Sequence, residues 1–383
     1  MNINTIKAKF RELFASEPTI IRSPGRINVI GEHTDYNDGF VLPAAIDKAI
    51  YVAISKRNDE EIHLFSENYQ EELVGNLSNV QKSDNAWANF VLGVVDELLS
   101  RGYELKGFNL YLDGDVPLGA GLSSSAALEC ATGFALSYLF GLEIAKKDIA
   151  LIGQQAEHKY AGVNCGIMDQ FASVFGKEGE AILLDCRSLD YEYIPLDLKD
   201  YKFVLLNSNV KHKHSESGYN TRRMQCEKGV AMVKAHVPEV SSLRDITLAQ
   251  LDEFVKPYDM EVYIKCKFVI EEIQRTQLAA ERLKAGDLVS LGKLMFQTHT
   301  GLSKTYEVSC AEIDFLVEQV AALDYVLGAR ITGGGFGGCS LNLVHQDKVE
   351  VMIENMTAVY QQQYGIALDA YIVEIGNGSE VIK

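Results

Sequence analysis

At 383 residues the chain is too long for one ordinary hydrophobic core, so two fused lobes are expected. A make-up of 47% hydrophobic and 23% charged residues is that of a soluble globular protein. The net charge of -17 argues against nucleic acid or an anionic membrane as partners, because their phosphates need a basic face. A phosphate ligand would therefore have to be held by local devices: backbone N–H groups, a helix N-terminus, a metal ion or a placed Arg.

The N-terminal stretch MNINTIKAKFRELF reads as a short amphipathic helix and not as a secretory signal, since it lacks a long apolar core. Next comes SPGRINVIGEHTDYNDGFVLP. Polar side chains in a row after INVIG (Glu32, His33, Thr34, Asp35, Tyr36, Asn37) suit a pocket that grips a polyhydroxylated molecule, although a surface loop can carry the same run. Alternation at Ile50, Val52 and Ile54, and again at Phe108, Leu110 and Leu112, predicts strands. WANFVLGVVDELLS, SSSAALECATGFALSYLF and the segment from Lys146 to Tyr160 carry helical periodicity. EAILLDC and YKFVLLNS read as strands, and YEYIPLDLKDYK between them as a turn-rich bridge that places a lobe boundary near residues 190–205. From Ser217 to Ala322 the pattern is mostly helical; a strand at CSLNLVH, a helix from Lys348 to Gln363 and a strand at ALDAYIVEI follow. Strands and helices mix without strict alternation, which favours α+β over a doubly wound parallel sheet. No apolar run is long enough to span a bilayer. The seven scattered cysteines contain no CxxC pair, which suggests reduced thiols in the cytoplasm and neither a disulfide framework nor a zinc site. His212 to His214 have i,i+2 spacing on a polar stretch and are not read as a metal site.

Two glycine loops stand out. In DVPLGAGLSSSAAL a strand ends, Gly119 and Gly121 permit unusual backbone angles, and Ser123, Ser124 and Ser125 open an apolar helix. A strand–glycine loop–helix start presents free N–H groups and the positive end of the helix dipole, and such a place binds phosphate. An ordinary helix after a turn fits the same residues, because Ser is a favoured N-cap. No Gly-Lys-Ser/Thr follows, so it is not a Walker A loop, and Ser stands where a dinucleotide fingerprint has its third Gly. RITGGGFGGCSLNLV is the second loop; five glycines around Phe336 need a packing or ligand-approach reason to offset their entropy. NCGIMDQFASVFG puts Asp169 near the start of a short helix, and Glu157 precedes it by twelve positions on a helix. Alone, each fits a helix-start acid or a solvated one.

GRINVIGEHTDYNDGFVLP, PLGAGLSSSAAL and TGGGFGGCSLNLV, in that order, resemble the three motifs of the GHMP small-molecule kinases, and the first is similar to the signature of the galactokinase family. CGIMDQFASVFG, WANFVLGV, SGYNTRRMQCE and TYEVSCAEID resemble segments of the same family, so the likeness runs over nearly the whole chain. The resemblance implies two α+β lobes, one like the second domain of ribosomal protein S5 (residues 1–195) and one ferredoxin-like (196–383), with the active site in the cleft between them. It implies ATP-dependent phosphorylation of galactose at its anomeric hydroxyl by a cytoplasmic monomer. Asp169 would be the catalytic carboxylate and Arg26 its partner. Glu32, His33, Thr34, Asp35 and Tyr219 would bind the sugar. Gly119, Ala120, Gly121, Leu122, Ser123, Ser124 and Ser125 would cradle the ATP phosphates, with Ser66 and Trp87 near the nucleotide. Ser125 and Glu157 would hold Mg²⁺. Asp38 departs from the family, where many relatives carry Gly, and Phe268 stands where relatives often carry His. A related kinase of N-acetylgalactosamine, arabinose or a uronic acid, and a non-catalytic sugar/ATP sensor, are the alternatives; the intact GLSSSA loop favours an enzyme.

Overall fold

The computed structural model describes residues 1–117, 119–211 and 215–382, so His212 to His214 lie outside the described residues. In chain order its strands are β1 (Thr19–Asn28), β2 (Phe40–Val41), β3 (Pro43–Lys56), β4 (Glu61–Ser66), β5 (Glu71–Asn76), β6 (Phe108–Gly114), β7 (Glu180–Asp185), β8 (Tyr191–Pro195), β9 (Tyr201–Lys211), β10 (Val326–Ile331), β11 (Gly337–His345), β12 (Asp369–Val373) and β13 (Glu380–Ile382). The helices are α1 (Ile3–Phe14), α2 (Ala86–Ser100), α3 (Ser124–Phe140), α4 (Lys146–Ala156), α5 (Met168–Phe175), α6 (Ser215–Lys234), α7 (Leu248–Phe254), α8 (Met260–Lys284), α9 (Leu288–Thr300), α10 (Ala311–Ala321) and α11 (Val349–Tyr364).

Three sheets result: a six-stranded one in the order β13-β1-β3-β6-β4-β5, a four-stranded one in the order β10-β11-β9-β12, and a small one, β2-β7-β8. The α+β reading holds. Apolar positions of β3 and β6 pack on α2, α3 and α4 in one core. Alternate residues of β9 face opposite ways: Phe203 and Leu205 join that core, while Val204 and Leu206 join a second one built on α8, α10 and α11. The two lobes therefore share one strand-thick wall, and Phe203 to Leu206 are apolar in succession because both faces of the strand are covered there.

Three departures from the sequence reading have local causes. Tyr191–Pro195, read as a bridge, is strand β8, antiparallel to β7; only Ile194 is buried, so its pattern looked like a loop. β1 carries Pro24 and Gly25 in mid-strand, and its register with β3 shifts between Pro24 and Arg26. That bulge lets the Arg26 N–H leave the ladder and donate to Leu122 O at 3.1 Å. The helix after Lys146 ends at Ala156, and Glu157–Ala161 continue as a wider π-type turn. Asp38 has a left-handed backbone (φ 58°), a conformation that Gly takes freely and that Asp tolerates better than most side chains. No helix among the described residues is long and apolar enough to cross a membrane.

Candidate active site

A cavity of about 200 Å³ opens between the lobes. Arg26, Glu32, His33, Asp35, Glu157, Asp169 and Tyr219 line it, together with Cys165, Gly166 and the turn Gly333–Gly335. Residues from Arg26 to Gly335, about 300 positions apart in the chain, are thus gathered around one space.

Its floor is an ion pair. The bulge of β1 turns Arg26 inward, and its side chain is buried. Nε and Nη2 donate to the two carboxylate oxygens of Asp169, on the first turn of α5, at 2.7 and 2.9 Å. Nη1 donates to Gly121 O at 2.6 Å, and Ser123 Oγ donates to Asp169 Oδ2 at 2.5 Å. The planar guanidinium fork is what lets one side chain hold a carboxylate and a glycine loop together. Ser123 precedes α3 with a left-handed backbone (φ 59°) and makes no side-chain cap, because its hydroxyl is turned to Asp169. The glycine loops then explain each other. A Cβ on Gly333 would come within 3.1 Å of Gly121 O, and one on Gly121 within 3.2 Å of Thr332 O, so the C-terminal loop lies directly on the loop before α3. Only glycine allows that approach.

The wall at residues 31–37 is a short turn, with His33 in the left-handed region (φ 63°) and Asn37 Nδ2 donating back to His33 O at 2.9 Å. His33 Nδ1 meets Tyr36 Oη at 2.8 Å, and its buried Nε2 makes no hydrogen bond of good geometry, although the Gly334 backbone lies close enough to favour a ring proton. Burial foremost, then the charge of Arg222, pushes the imidazole down to about 3, so it is neutral at neutral pH. Asp35 faces Gly166, where any Cβ would overlap its carboxylate. Burial and then the charge of Asp169 push Asp35 up to about 6. Tyr219, on α6, packs on the His33 ring at 5.2 Å between centroids.

Glu32 is held differently. Both its oxygens are forked by Arg330, a fully buried residue at the end of β10, and Asn28 Nδ2 and Gly333 N–H donate to it at 2.9 and 3.2 Å. Arg330 also donates to Val29 O and Asn28 O at 3.0 and 2.7 Å. Burial pushes the Glu32 carboxyl up to about 7, and the Arg330 charge acts against that rise. Arg330 was not singled out from sequence; its one available signal was a cation in an apolar strand directly before TGGGFGG.

On the far side of Asp169, Ser125 Oγ donates to Glu157 Oε1 at 3.1 Å, and Gln170 Nε2 donates to Glu157 Oε2 at 2.8 Å. Gln170 also donates to the buried Glu129 at 3.0 Å; neither residue was anticipated. Thr34, Ser66, Trp87 and the loop from Gly119 to Ser125 do not line this cavity. The Thr34 hydroxyl stands 2.9 and 2.7 Å from the carbonyls of Gly31 and Phe40 and shapes the turn from behind. Ser66 is buried at the end of β4, and Trp87 stacks on Tyr69 while donating to Glu71 at 2.9 Å, both away from the cavity lining.

Comparison with known proteins assigns the class first. The model for the GHMP kinase N-terminal domain matches residues 89–177 and that for the GHMP kinase C-terminal domain matches 279–362. A mevalonate kinase from Methanococcus jannaschii superimposes with a TM-score of 0.67 at 19% identity, over 94% of this chain and 99% of that one, which is a likeness of fold. The two-lobed fold with this cleft is that of the GHMP small-molecule kinases.

Within that class the galactokinase galactose-binding signature matches residues 8–56, the segment that carries Arg26 and the 31–37 turn. A galactokinase from Chloroflexus aurantiacus is 40% identical over 98% of this chain and 97% of its own, and one from Clostridium perfringens is 41% identical over 99% of each. The crystal structure of Lactococcus lactis galactokinase complexed with galactose superimposes with a TM-score of 0.95 at 37% identity, over 99% of this chain and all of that one. The chain belongs to the galactokinase family.

Proposed function

We propose that this chain transfers the γ-phosphoryl group of ATP to the anomeric hydroxyl of galactose, giving α-galactose 1-phosphate and ADP. The observation that carries this reading is the contact of Asp169 with both Arg26 and Ser123. A carboxylate thereby stands between a loop suited to phosphates and a cavity lined with polar groups suited to a sugar.

In this reading Asp35, His33 and Tyr219 grip the sugar hydroxyls, Glu32 shapes the pocket beside them, and Thr34 keeps their turn in place. The backbone from Gly119 to Ser125 and the N-terminus of α3 bind the nucleotide phosphates, with Ser66 and Trp87 on the nucleotide side. Asp169 accepts the proton of the attacking hydroxyl. That carboxylate is fixed by a guanidinium and a hydroxyl, and proton transfer to it comes late, along with a loose phosphoryl transition state in which positioning and charge stabilisation supply the catalysis. Arg26 fixes Asp169 and faces the charge of the transferring group.

Ser125 and Glu157 are the residues that would hold Mg²⁺. Their oxygens are 3.1 Å apart, close to the ~2.9 Å edge of an octahedron with bonds of about 2.0–2.1 Å. Burial, with the charge of Asp169 next, pushes Glu157 up to about 7, so a cation there would relieve an unfavourable charge. When bound, the ion would neutralise the phosphate oxygens. The proposal includes a lobe division near residue 195, a monomer, and a cytoplasmic location. A coupled ADP-release assay with galactose, glucose and N-acetylgalactosamine tests the reading. Turnover with galactose far above the other two is expected, and no turnover on galactose, or faster turnover on another sugar, would remove it.

A further inference from the structure

His33 ends a line of hydrogen bonds that the reaction itself does not use. Its Nδ1 meets Tyr36 Oη at 2.8 Å, Tyr36 Oη meets Tyr306 Oη at 2.9 Å, and Tyr306 Oη meets Cys226 Sγ at 3.3 Å. Tyr306 and Cys226 are fully buried in the second lobe, and both tyrosine rings pack on the His33 ring, with centroids at 5.8 and 5.0 Å. The other end of the line is His33 Nε2, buried in the cavity wall beside the Gly334 backbone and without a protein hydrogen bond of good geometry.

The protons along this line can run two ways. Toward His33, each phenol donates to the best acceptor within reach: Tyr306 to Tyr36, and Tyr36 to an imidazole nitrogen, while the weak S–H donor serves Tyr306. Away from His33, the imidazole N–H donates to a phenol oxygen and the last phenol proton is left to a thiol sulfur, which is a weak acceptor. The first arrangement pairs strong donors with strong acceptors. A neutral imidazole carries one ring proton, so the hydrogen bond at Nδ1 decides what Nε2 carries.

We infer that Tyr36 and Tyr306 are positioning residues that fix His33 as the Nε2–H tautomer, so that His33 donates to a lone pair of the sugar and does not accept a sugar proton. This rests on the galactose reading for the identity of the ligand alone. Asp35, an acceptor-only carboxylate once ionised, then complements it: one group of the turn donates and the other accepts. A ligand hydroxyl held by both must use a lone pair and a proton at fixed relative angles, which is a selective demand.

The test is ¹⁵N NMR of the histidine-labelled full-length protein without sugar, His33 being assigned by its loss in His33→Gln. Nε2 should bear the proton and Nδ1 should not. Tyr36→Phe should turn this into a mixture of tautomers and raise KM for galactose about tenfold with kcat within about twofold, the scale of one neutral hydrogen bond. Tyr306→Phe should do the same more weakly, about threefold. A protonated Nδ1 in the unmutated protein overturns the inference. So does a Tyr36→Phe variant that keeps both tautomer and KM. Since the tautomer is read in sugar-free protein, an Nε2–H result beside failure to phosphorylate galactose would support this assignment and reject the galactose reading.

Discussion

Asp169 and Asp35 are two aspartates on one cavity, and their surroundings are opposite. Asp169 receives a guanidinium fork and a serine hydroxyl, each from within the chain. Asp35 receives the N–H of its neighbour Tyr36 at 3.0 Å and otherwise faces the cavity and Gly166. The same division separates Glu32, whose oxygens accept from Arg330, Asn28 and Gly333, from His33, whose Nε2 makes no protein hydrogen bond of good geometry. The groups that must stay in one place are satisfied by the fold. Those that must recognise a ligand are left with open hydrogen-bonding capacity, at a cost in stability that the ligand removes.

The largest effect should come from the satisfied side. Asp169→Asn should lower kcat by about 10²–10⁴ while galactose binding, measured by calorimetry, persists. Turnover near the wild-type level would show that Asp169 is only a strut for Arg26. Next, Arg330→Gln should destabilise the protein by about 3–5 kcal/mol in denaturant titration, because it leaves Glu32 buried without its counter-charge. Joint replacement, Arg330→Met with Glu32→Leu, should recover most of that loss, and failure to recover would mean that the pair stabilises more than it costs to bury. Gly166→Ala should push the Asp35 carboxylate aside and raise KM for galactose, by about tenfold for the loss of one well-placed charged hydrogen bond; an unchanged KM would detach Asp35 from the sugar.

The smallest effect tests the open side through pH. The folded Asp35 titrates near 6, above its ordinary value of 3.8. The folded state therefore binds more protons than the unfolded chain between those values, and stability falls as pH rises through that window. Asp35→Asn removes the penalty. It should raise the melting temperature at pH 8 on the order of 2–4 °C, the shift that about 1 kcal/mol gives a large domain. At pH 4 the gain should vanish, and a gain equal at both pH values would disprove the burial argument.

Much of this was legible in the chain. Period-two and period-3.6 patterns placed β3, β6, β9, α2 and α3, because each buries one regular face or is covered on both. Strands β1 and β8 were not, since Pro24-Gly25 and the exposed tyrosines of Tyr191–Pro195 carry the composition of turns while long-range pairing makes them strands. Spacing and residue type also singled out the polar turn at Glu32–Asn37 and the two glycine loops as places with chemistry.

What sequence determined, then, was which side chains can donate, accept or carry charge, and where the backbone needs glycine; these are local properties. Which of them meet was decided by the tertiary structure. Arg330 reaches Glu32 across 298 positions, Arg26 reaches Asp169 across 143, and Tyr306 reaches Tyr36 across 270. Pairings of that kind follow from how the two lobes bury their shared wall, a global balance of packing that no short stretch of residues encodes.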